Sequence, residues 1–536
     1  MLEFDFIIVG AGSAGCVLAD RLSASGRHSV LVLEAGGSDR RFWIKLPIGY
    51  GRTFHDERVN WKFETEPDPG TGGRRSYWPR GRVVGGSSSI NALVYCRGLP
   101  TDFDDWRDAG NPGWGWTDVE PYFRRSERLV DGERSQGDGS LHVADVSRAM
   151  HPLSRHYFAA AGEIGLKRTE SFNGPAPEGV GFYQITVRNG FRCSAADAFL
   201  RPALRRANCG LQTGAVARRI LFEAKRATGV EFSVGRTVTT VRARREVILC
   251  AGAVSSPKLL QLSGIGPAPL LRRHGIPVEV DSPAVGAHLQ DHLAVSYYYK
   301  SREPTLNDLL HPFSGKARAA LRYLLTRGGP LSLSVNQCGG FVRSSDSAQR
   351  PDMQLYFNPF TYATSNVGRR PVNRPHPYSG FLLSFQPCRP TSRGAIEIRS
   401  PDPDAPPMIL PNYLSTDQDI ADVIAGGHLM QRMLGTQAMR GLIAESIPPA
   451  VQTMSDDAIV EDFRQRCGTV FHPVGTCRMG PDRRDSAVDA RLRLHGVEGL
   501  RVVDASVFPN ITSGNTNAPT IMVGQKGADL VLSEAA

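Results

Sequence analysis

The chain has 536 residues, of which 41% are apolar and 22% charged, an ordinary composition for a globular protein of several domains. The formal net charge is +10, but the arginines are scattered and form no basic run, so a solvated basic surface is a simpler interpretation than nucleic-acid binding. The nine cysteines are odd in number, widely spaced and lack a C-x-x-C pair, which disfavours a disulfide framework or a zinc site and fits a cytoplasmic protein.

The first element predicted is a strand that begins within MLEFDFIIVG, with no charged and cleavable leader before it. No window of about 18 apolar residues follows anywhere in the chain, so we expect no transmembrane segment.

Residues 6–34 predict a strand, a glycine-rich turn, a helix over 14–22 and a second strand over 30–33. Gly10 allows the tight turn, Gly12 lets a pyrophosphate approach the backbone, and Gly15 lets helix and strand pack closely. Glu34 ends the second strand, where its carboxylate can accept hydrogen bonds from ribose hydroxyls. This pattern predicts a dinucleotide site, and the alternative is a tight turn in an unrelated α/β fold.

A second glycine-rich stretch spans residues 77–98 and reads YWPRGRVVGGSSSINALVYCRG. Gly85, Gly86 and Ser87 give a backbone that can pass close to a flat ligand, and Asn91 begins the apolar run that follows. We predict a ligand-contacting loop, with a plain surface loop as the alternative.

The predicted secondary structure changes in the middle of the chain, where strands predominate. Turn-rich segments separate strand-like runs, which together indicate an antiparallel sheet: VSYYY, GGFVR, MQLYF, GFLLSFQP and GAIEIRS, between residues 295 and 400. Residues 306–325 carry a helical pattern. Residues 363–380 are polar and rich in proline and arginine, which predicts a surface loop and leaves open whether it is a lid.

The C-terminal part supplies a partner for the first motif. The run GLRVVDAS at 499–506 predicts a strand that closes on Asp504, whose carboxylate suits the hydroxyls of a ribityl chain and favours FAD over NAD. If both motifs serve one ligand, the two ends of the chain build one domain and the middle is inserted. A helix is predicted from about Pro519.

These motifs resemble the glucose–methanol–choline oxidoreductase family along essentially the whole chain. The resemblance rests on residues 81–104, on GAVSSPKLLQLSGIG at 252–266, on HLQDH at 288–292, and on HPVGTCRMG and GNTNAPTIM. Within the family, the chain is most similar to bacterial dehydrogenases of primary alcohols such as choline, alkanols, polyethylene glycol and sorbose.

The resemblance implies an α/β, or two-domain α+β, fold. A Rossmann-like FAD-binding domain would comprise residues 1–155, 205–295 and 460–536, and a substrate domain with an antiparallel sheet residues 156–204 and 296–459. Some members attach FAD covalently through a histidine, and Ile90 occupies that position here, so the resemblance implies non-covalent FAD. Further implied FAD contacts are Ala92, Val216, Asp504, Ala505 and Asn517.

The resemblance also assigns the catalytic pair. It makes His472 the base that takes the hydroxyl proton while hydride passes to flavin N5, and Asn515, 43 residues later, its hydrogen-bonding partner. Phe471, next to the base, is predicted to wall the substrate pocket, together with Phe357, Phe360 and Tyr362. Cys477 has no base placed beside it and is predicted to be an inert thiol; no metal is expected.

The predicted reaction is the oxidation of a primary alcohol to an aldehyde, with electrons passed to a quinone, another carrier or oxygen. A lyase, a fatty-acid photodecarboxylase and a non-enzymatic flavoprotein are the alternatives, and Cys388 and Arg389 motivate the second of these. The identity of the alcohol and the oligomeric state are open. A quinone acceptor would bring the basic surface to a membrane as a peripheral contact.

Overall fold

The structure is a computed structural model, and it describes residues 2–132, 134–364 and 373–535. Its helices, in chain order, are α1 Ser13–Ser23, α2 Phe42–Lys45, α3 Tyr50–Thr53, α4 Pro100–Asp108, α5 Trp116–Ser126, α6 Ser154–Glu163, α7 Arg201–Ala203, α8 Gly252–Leu262, α9 Ala268–Arg273, α10 Leu306–Leu310, α11 Phe313–Thr326, α12 Asp417–Leu434, α13 Gln437–Leu442, α14 Asp456–Arg466 and α15 Asn517–Ala535.

The strands, in the same order, are β1 Leu2–Val9, β2 Val30–Glu34, β3 Phe63–Glu64, β4 Tyr77–Trp78, β5 Glu127–Asp131, β6 Arg134–Gln136, β7 Leu141–Asp145, β8 Gly179–Phe182, β9 Val187–Arg188, β10 Phe191–Arg192, β11 Cys209–Thr213, β12 Ala215–Glu223, β13 Arg226–Val234, β14 Thr237–Leu249, β15 Ile265–Gly266, β16 Val280–Asp281, β17 Leu293–Ser301, β18 Cys338–Val342, β19 Met353–Asn358, β20 Tyr362–Thr364, β21 Asn373–Pro375, β22 Gly380–Pro387, β23 Ala395–Glu397, β24 Met408–Leu410, β25 Ile443–Ile447, β26 Gly468–Thr469 and β27 Leu500–Val502.

One seven-stranded sheet joins the two ends of the chain. Its order is β11-β2-β1-β14-β13-β12, and β27 pairs with the C-terminal half of β14. Strands β11, β2, β1, β14 and β27 run parallel, whereas β12 and β13 are antiparallel. Helices α1 and α15 pack against each other beside this sheet. The predicted α/β class, with a Rossmann-like unit made from both chain ends, is confirmed.

A second seven-stranded sheet is antiparallel and comes mostly from the middle of the chain. Its order is β25-β17-β22-β19-β18-β8, and β26 pairs with β17. Successive side chains of a strand point to opposite faces. In β17, Val295, Tyr297 and Tyr299 are buried in the core, and the residues between them face the other side. The predicted domain boundaries stay a prediction, and two of them do not coincide with this sheet, since β17 begins at Leu293 and β26 lies at Gly468–Thr469.

Three local predictions differ from the structure. The run GAIEIRS forms β23, which pairs with β24 in a separate two-stranded sheet rather than joining the large one. The helical pattern at 306–325 forms two helices, α10 and α11, because Pro312 removes a backbone donor between them. In the predicted loop 363–380, β20 and β21 form a short antiparallel ribbon. Residues 365–372, where a lid was considered, lie outside the described residues.

No helix in the described ranges is long and apolar enough to cross a membrane.

Candidate active site

A cavity of about 1200 Å³ lies between the two sheets. The glycine-rich turn after β1, the loop at residues 79–94 and the ends of β12 and β14 line one part. The second sheet and the segment around His472 line the other. Its size suits a dinucleotide together with a small substrate.

The nucleotide end is a cradle of closely approaching backbone. Gly10 has φ of +106°, and a Cβ there would lie 2.4 Å from the carbonyl oxygen of Cys250. A Cβ on Gly86 would lie 2.7 Å from Cα of Gly12, so the two glycine-rich loops meet where neither has a side chain. The backbone itself therefore forms the surface that a pyrophosphate would meet, beside the N-terminus of α1.

Two buried carboxylates line the same end. Glu34 accepts the N–H groups of Ala11 at 2.9 Å and Gly36 at 2.7 Å, and burial raises its pKa to about 7. Asp504 accepts four hydrogen bonds, from N–H of Gly252 and Ser506 and from the hydroxyls of Ser256 and Ser506. These four bonds fill the acceptor capacity of an ionised carboxylate. Asp504 thus orders the turn after β27, and its predicted contact with a ribityl hydroxyl stays a prediction.

Most of the predicted cofactor-contacting residues line the cavity. These are Gly10, Gly12, Glu34, Gly86, Ser87, Asn91, Ala92, Val216, Asp504, Ala505 and Asn517, together with Ile90. Gly15 and Gly85 do not line it: Gly15 packs on the backbone of Gly10, and Gly85 packs on Ser89 and donates its N–H to the carbonyl of Ala11 at 2.7 Å.

The catalytic pair predicted from the resemblance is in contact. Nε2 of His472 lies 3.1 Å from the amide nitrogen of Asn515, and both residues line the cavity. His472 itself is 7% exposed. Among the described residues, the buried side-chain oxygen of Asn515 has no hydrogen-bond partner, so the amide retains capacity for a ligand.

A second histidine, His292, fixes the tautomer of His472. Nε2 of His292 lies 2.8 Å from the carbonyl oxygen of Cys388, which can only accept, so His292 carries its proton on Nε2. Its Nδ1 is then an acceptor, 3.1 Å from Nδ1 of His472, which must be the donor. The neutral His472 is thereby left with an unprotonated Nε2, which is the nitrogen that faces Asn515.

The surroundings also keep His472 neutral. Burial lowers the pKa of His472 well below its usual value, and the neighbouring His292 and Arg80 lower it further. Burial likewise lowers the pKa of His292 to about 4. An uncharged imidazole with one unprotonated nitrogen is the form that acts as a general base.

The backbone around His472 is strained and held in place. Phe471 has φ of +69°, a left-handed conformation that is uncommon for an aromatic residue. Arg80 donates to the carbonyl oxygen of Phe471 at 2.6 Å, and Asp291 accepts the N–H of His472 at 2.8 Å. Asp291 also accepts the hydroxyls of Tyr413 and Thr469. These contacts set the direction in which the imidazole points.

The second sheet presents one face to the cavity. Aligned residues of neighbouring strands line it: Ser296 and Tyr298 of β17, Leu382 and Ser384 of β22, and Tyr356 and Asn358 of β19. Phe471 and Tyr362 line the cavity as well, in agreement with their predicted place.

Phe357 and Phe360 do not line the cavity. Phe357 points to the opposite face of β19, fully buried between Tyr157 and Phe381, because successive residues of a strand alternate. Phe360 follows the strand and packs with Leu306 and Leu310. The pocket prediction for these two residues is corrected accordingly.

His292, Asp291, Arg80, Tyr356 and Asn358 were not assigned a role from the sequence. The HLQDH motif contains the first two, and its position in family order was the available signal. Cys477, in contrast, is buried, and burial raises the pKa of its thiol, as expected of an inert cysteine.

A dinucleotide cradle and a neutral imidazole that open into one cavity define a nucleotide-cofactor oxidoreductase. The chain belongs to the GMC oxidoreductase family, since two family models of that description match residues 4–294 and 390–524. It is therefore an FAD-dependent enzyme that acts on CH–OH donors.

Similar proteins span nearly the whole chain. The oxygen-dependent choline dehydrogenase of Photobacterium profundum is 42% identical over 99% of this chain and 93% of its own length. The protein of the same name from Brucella anthropi is also 42% identical, over 99% and 96%. Among solved structures, pyridoxine 4-oxidase from Mesorbium loti is 31% identical with a TM-score of 0.87, covering 98% of both chains. A fungal aryl-alcohol oxidase is 25% identical with a TM-score of 0.85, covering 100% of both. These relatives do not favour the lyase and decarboxylase alternatives.

Proposed function

We propose that this protein oxidises an uncharged primary alcohol to an aldehyde, with His472 as the base and Asn515 as its partner. The observation that carries the proposal is the contact between Nε2 of His472 and the amide of Asn515 on the cavity wall. FAD, held along the cradle formed by Gly10, Gly12 and Gly86, would supply the acceptor for the hydride of the alcohol carbon. The alcohol thus loses one proton and one hydride, and the two electrons leave with the hydride.

The protein's own residues handle the proton. The lone pair on Nε2 of His472 takes the hydroxyl proton, while Nδ1–H stays directed at Nδ1 of His292, 3.1 Å away, and holds the ring in place. The amide of Asn515 donates to the oxygen as negative charge develops on it.

The charges in the cavity bear on the choice of alcohol. A quaternary ammonium group favours aromatic faces with a carboxylate nearby. The described lining residues include five carboxylates, Glu34, Glu64, Glu66, Asp404 and Asp504. Glu34 and Asp504 are bound to backbone N–H groups at the nucleotide end, and Glu66 and Asp404 pair with arginines. Glu64 is exposed in the short strand β3. The sheet face instead offers tyrosine, serine, asparagine and leucine, which suits an uncharged alcohol with an apolar or aromatic part.

The cofactor is proposed to be held non-covalently. Ile90 is 2% exposed, lines the cavity and packs with Ile44, Val59 and Val83, and its side chain cannot form a bond to FAD. Acid precipitation of the protein is expected to release all of the yellow cofactor. We retain the proposed division into an FAD domain built from both chain ends and an inserted substrate domain.

The electron acceptor is proposed to be oxygen or a quinone-like carrier. Relatives named as oxygen-dependent and as oxidases support testing oxygen first. A cytoplasmic location stays a prediction.

The experiment is anaerobic mixing of the purified protein with a panel of alcohols while the flavin absorbance is followed. Benzyl alcohol and butanol are expected to bleach the flavin faster than choline at equal concentration, without added nicotinamide. Faster bleaching by choline would contradict the substrate proposal, and no bleaching by any primary alcohol would contradict the reaction. Re-oxidation with oxygen and with a soluble quinone, run in parallel, then separates the two acceptors.

A further inference from the structure

Helix α11 is attached to the protein by a narrow stripe. Of its fourteen residues only Gly315, Ala319 and Tyr323 are buried. At about 3.6 residues per turn these three positions fall on one side of the helix. Ala319 packs there with Leu306 and Leu310, and Tyr323 donates its hydroxyl to the carbonyl of Gly190 at 2.9 Å.

The side of α11 that points away from the protein is apolar. Phe313 is 87% exposed, Leu321 58%, Leu324 61% and Leu325 76%, and we name these four side chains the outer face. A surface helix ordinarily turns its apolar stripe toward the core and its polar side toward water. In α11 this arrangement is reversed, because small residues contact the protein and large apolar ones contact solvent.

Cations border the outer face, and carboxylates are missing from its surroundings in the sequence. Lys316, Arg318 and Arg322 lie in the helix and are exposed, and Arg327 follows it. The sequence has no aspartate or glutamate between residues 309 and 345. This pattern of exposed leucine and phenylalanine flanked by lysine and arginine is typical of helices that lie in the interface of an anionic membrane.

Exposed aromatic residues continue the surface beyond the end of α11. Phe191 lies under the guanidinium of Arg327, 5.0 Å from ring centroid to charge, and strand β10 contacts α2. Helix α2 exposes Phe42 and Trp43, which are 64% and 41% exposed, and Arg52 lies over the Trp43 ring. Seven of the eleven most exposed large apolar side chains among the described residues thus belong to this one region.

We propose that the outer face of α11 docks on an anionic lipid surface. The proposal combines apolar side chains that can enter the acyl boundary with cations that meet lipid phosphates, in a stretch of sequence, residues 309–345, that contains no carboxylate. The same helix packs over one wall of the cavity, since Val335 and Tyr362 contact the cluster that holds Ala319 and also line the cavity. Docking would therefore place that wall next to the membrane surface. The proposal does not rest on the proposed function.

The test is co-sedimentation of the FAD-loaded protein with vesicles. Vesicles of phosphatidylglycerol and phosphatidylcholine are expected to bind the protein, and vesicles of phosphatidylcholine alone to bind at least about tenfold less. Salt at about 1 M, where the Debye length is about 3 Å, is expected to weaken the binding.

Variants connect the binding to the helix. The double variant L321S/L324S is expected to lose at least about tenfold in affinity for anionic vesicles, because each leucine would no longer bury its apolar surface. The matched control is L2S/V238S. It removes two apolar side chains that are 70% and 51% exposed in β1 and β14 of the first sheet, and it should bind as the wild type does. Flavin absorbance and the unfolding temperature check that each variant is folded.

Absence of binding to anionic vesicles at low salt would overturn the proposal. So would equal loss of binding in the control variant. Concentration-dependent dimerisation that L321S/L324S abolishes, without vesicle binding, would overturn it in favour of a second copy of the chain. Because substrate is absent from the assay, none of these results bears on the alcohol oxidation.

Discussion

The Nδ1 atoms of His472 and His292 lie 3.1 Å apart, with their rings nearly perpendicular at 85°. With both rings neutral, only one arrangement of protons satisfies this contact together with the one from His292 to the carbonyl of Cys388, 2.8 Å away. The carbonyl thus determines, through two rings, which nitrogen of His472 is free to accept a proton.

Loss of the His472 imidazole should slow the reductive half-reaction. In His472→Ala we expect flavin reduction by the preferred alcohol to fall by about 10²–10⁴-fold, the usual contribution of a general base. Stopped-flow absorbance measures it. His428→Ala is the control, since His428 is an exposed histidine paired with Asp456, and it should reduce as the wild type does. A wild-type rate in His472→Ala would reject His472 as the base.

The wild-type enzyme should be insensitive to pH in the neutral range. His472 acts as a base only when unprotonated, so the reduction rate constant falls as pH drops through its pKa. Burial, His292 and Arg80 hold that pKa well below the usual value of 6.5. We therefore expect a constant rate between about pH 6.5 and 9, and a fall only in acid. A midpoint above pH 7 would contradict this assignment.

Replacement of His292 should act through His472. His292→Leu removes the acceptor for Nδ1–H, so the tautomer of His472 is no longer fixed, and we expect the rate constant to fall by about 10²-fold. It also removes a neighbour that lowers the pKa of His472, so the acid limb of the pH profile should move upward. A merely structural role would lower the amount of folded enzyme without moving that limb.

Gly86 should be needed for retention of FAD. A Cβ in Gly86→Ala would lie 2.7 Å from Cα of Gly12 and would force the two loops of the cradle apart. We expect a lower ratio of flavin to protein absorbance after purification. Gly73→Ala is the matched control, because Gly73 also has positive φ, +72°, but has nothing within 4 Å of the added Cβ. Equal loss of flavin in both variants would assign the effect to backbone strain instead.

Neighbouring residues of β19 should have separate effects. Phe357→Ala is expected to lower the free energy of unfolding by about 3–5 kcal/mol, since the ring is fully buried, and to leave the relative kcat/KM of different alcohols unchanged. Tyr356→Leu changes the cavity wall and is expected to alter the kcat/KM ratio between short and long alcohols by about tenfold. A shift of preference in Phe357→Ala alone would place the pocket on the other face of the sheet.

The sequence predicted those features that depend on local spacing. The strand, turn and helix around Gly10 were confirmed, and so was a strand in the run before Asp504, although it ends at Val502; glycine positions and strands are local signals. The FAD-dependent class and the family were confirmed by the comparisons. The roles of His472 and Asn515 stay predictions; the structure shows that the two side chains are in contact and line the cavity.

The remaining features of the fold and the site depend on tertiary contacts, which the spacing of residues in the sequence does not reveal. All six residues of β19 are buried, so the alternation that usually tells the two faces of a strand apart was hidden, and Phe357 was placed on the wrong one. His292 is 180 residues away from His472, and its influence on the tautomer requires the position of a backbone carbonyl. Residues of GAIEIRS have the composition of a sheet strand, but their pairing partner is determined by the chain that folds around them.

The hydrogen bond from the hydroxyl of Ser13 to the side chain of Asn517, 2.7 Å long, joins residues that are 504 positions apart. At a synthesis rate of about 5–20 residues per second, Asn517 is added roughly half a minute to two minutes after Ser13. The nascent protein therefore emerges with an unfinished nucleotide cradle, and β14 lacks its neighbour β27 until the same late moment. We therefore expect the cradle to be complete only after residue 517 has been synthesised, and a chain that stops before residue 500 should not acquire the yellow colour of a bound flavin.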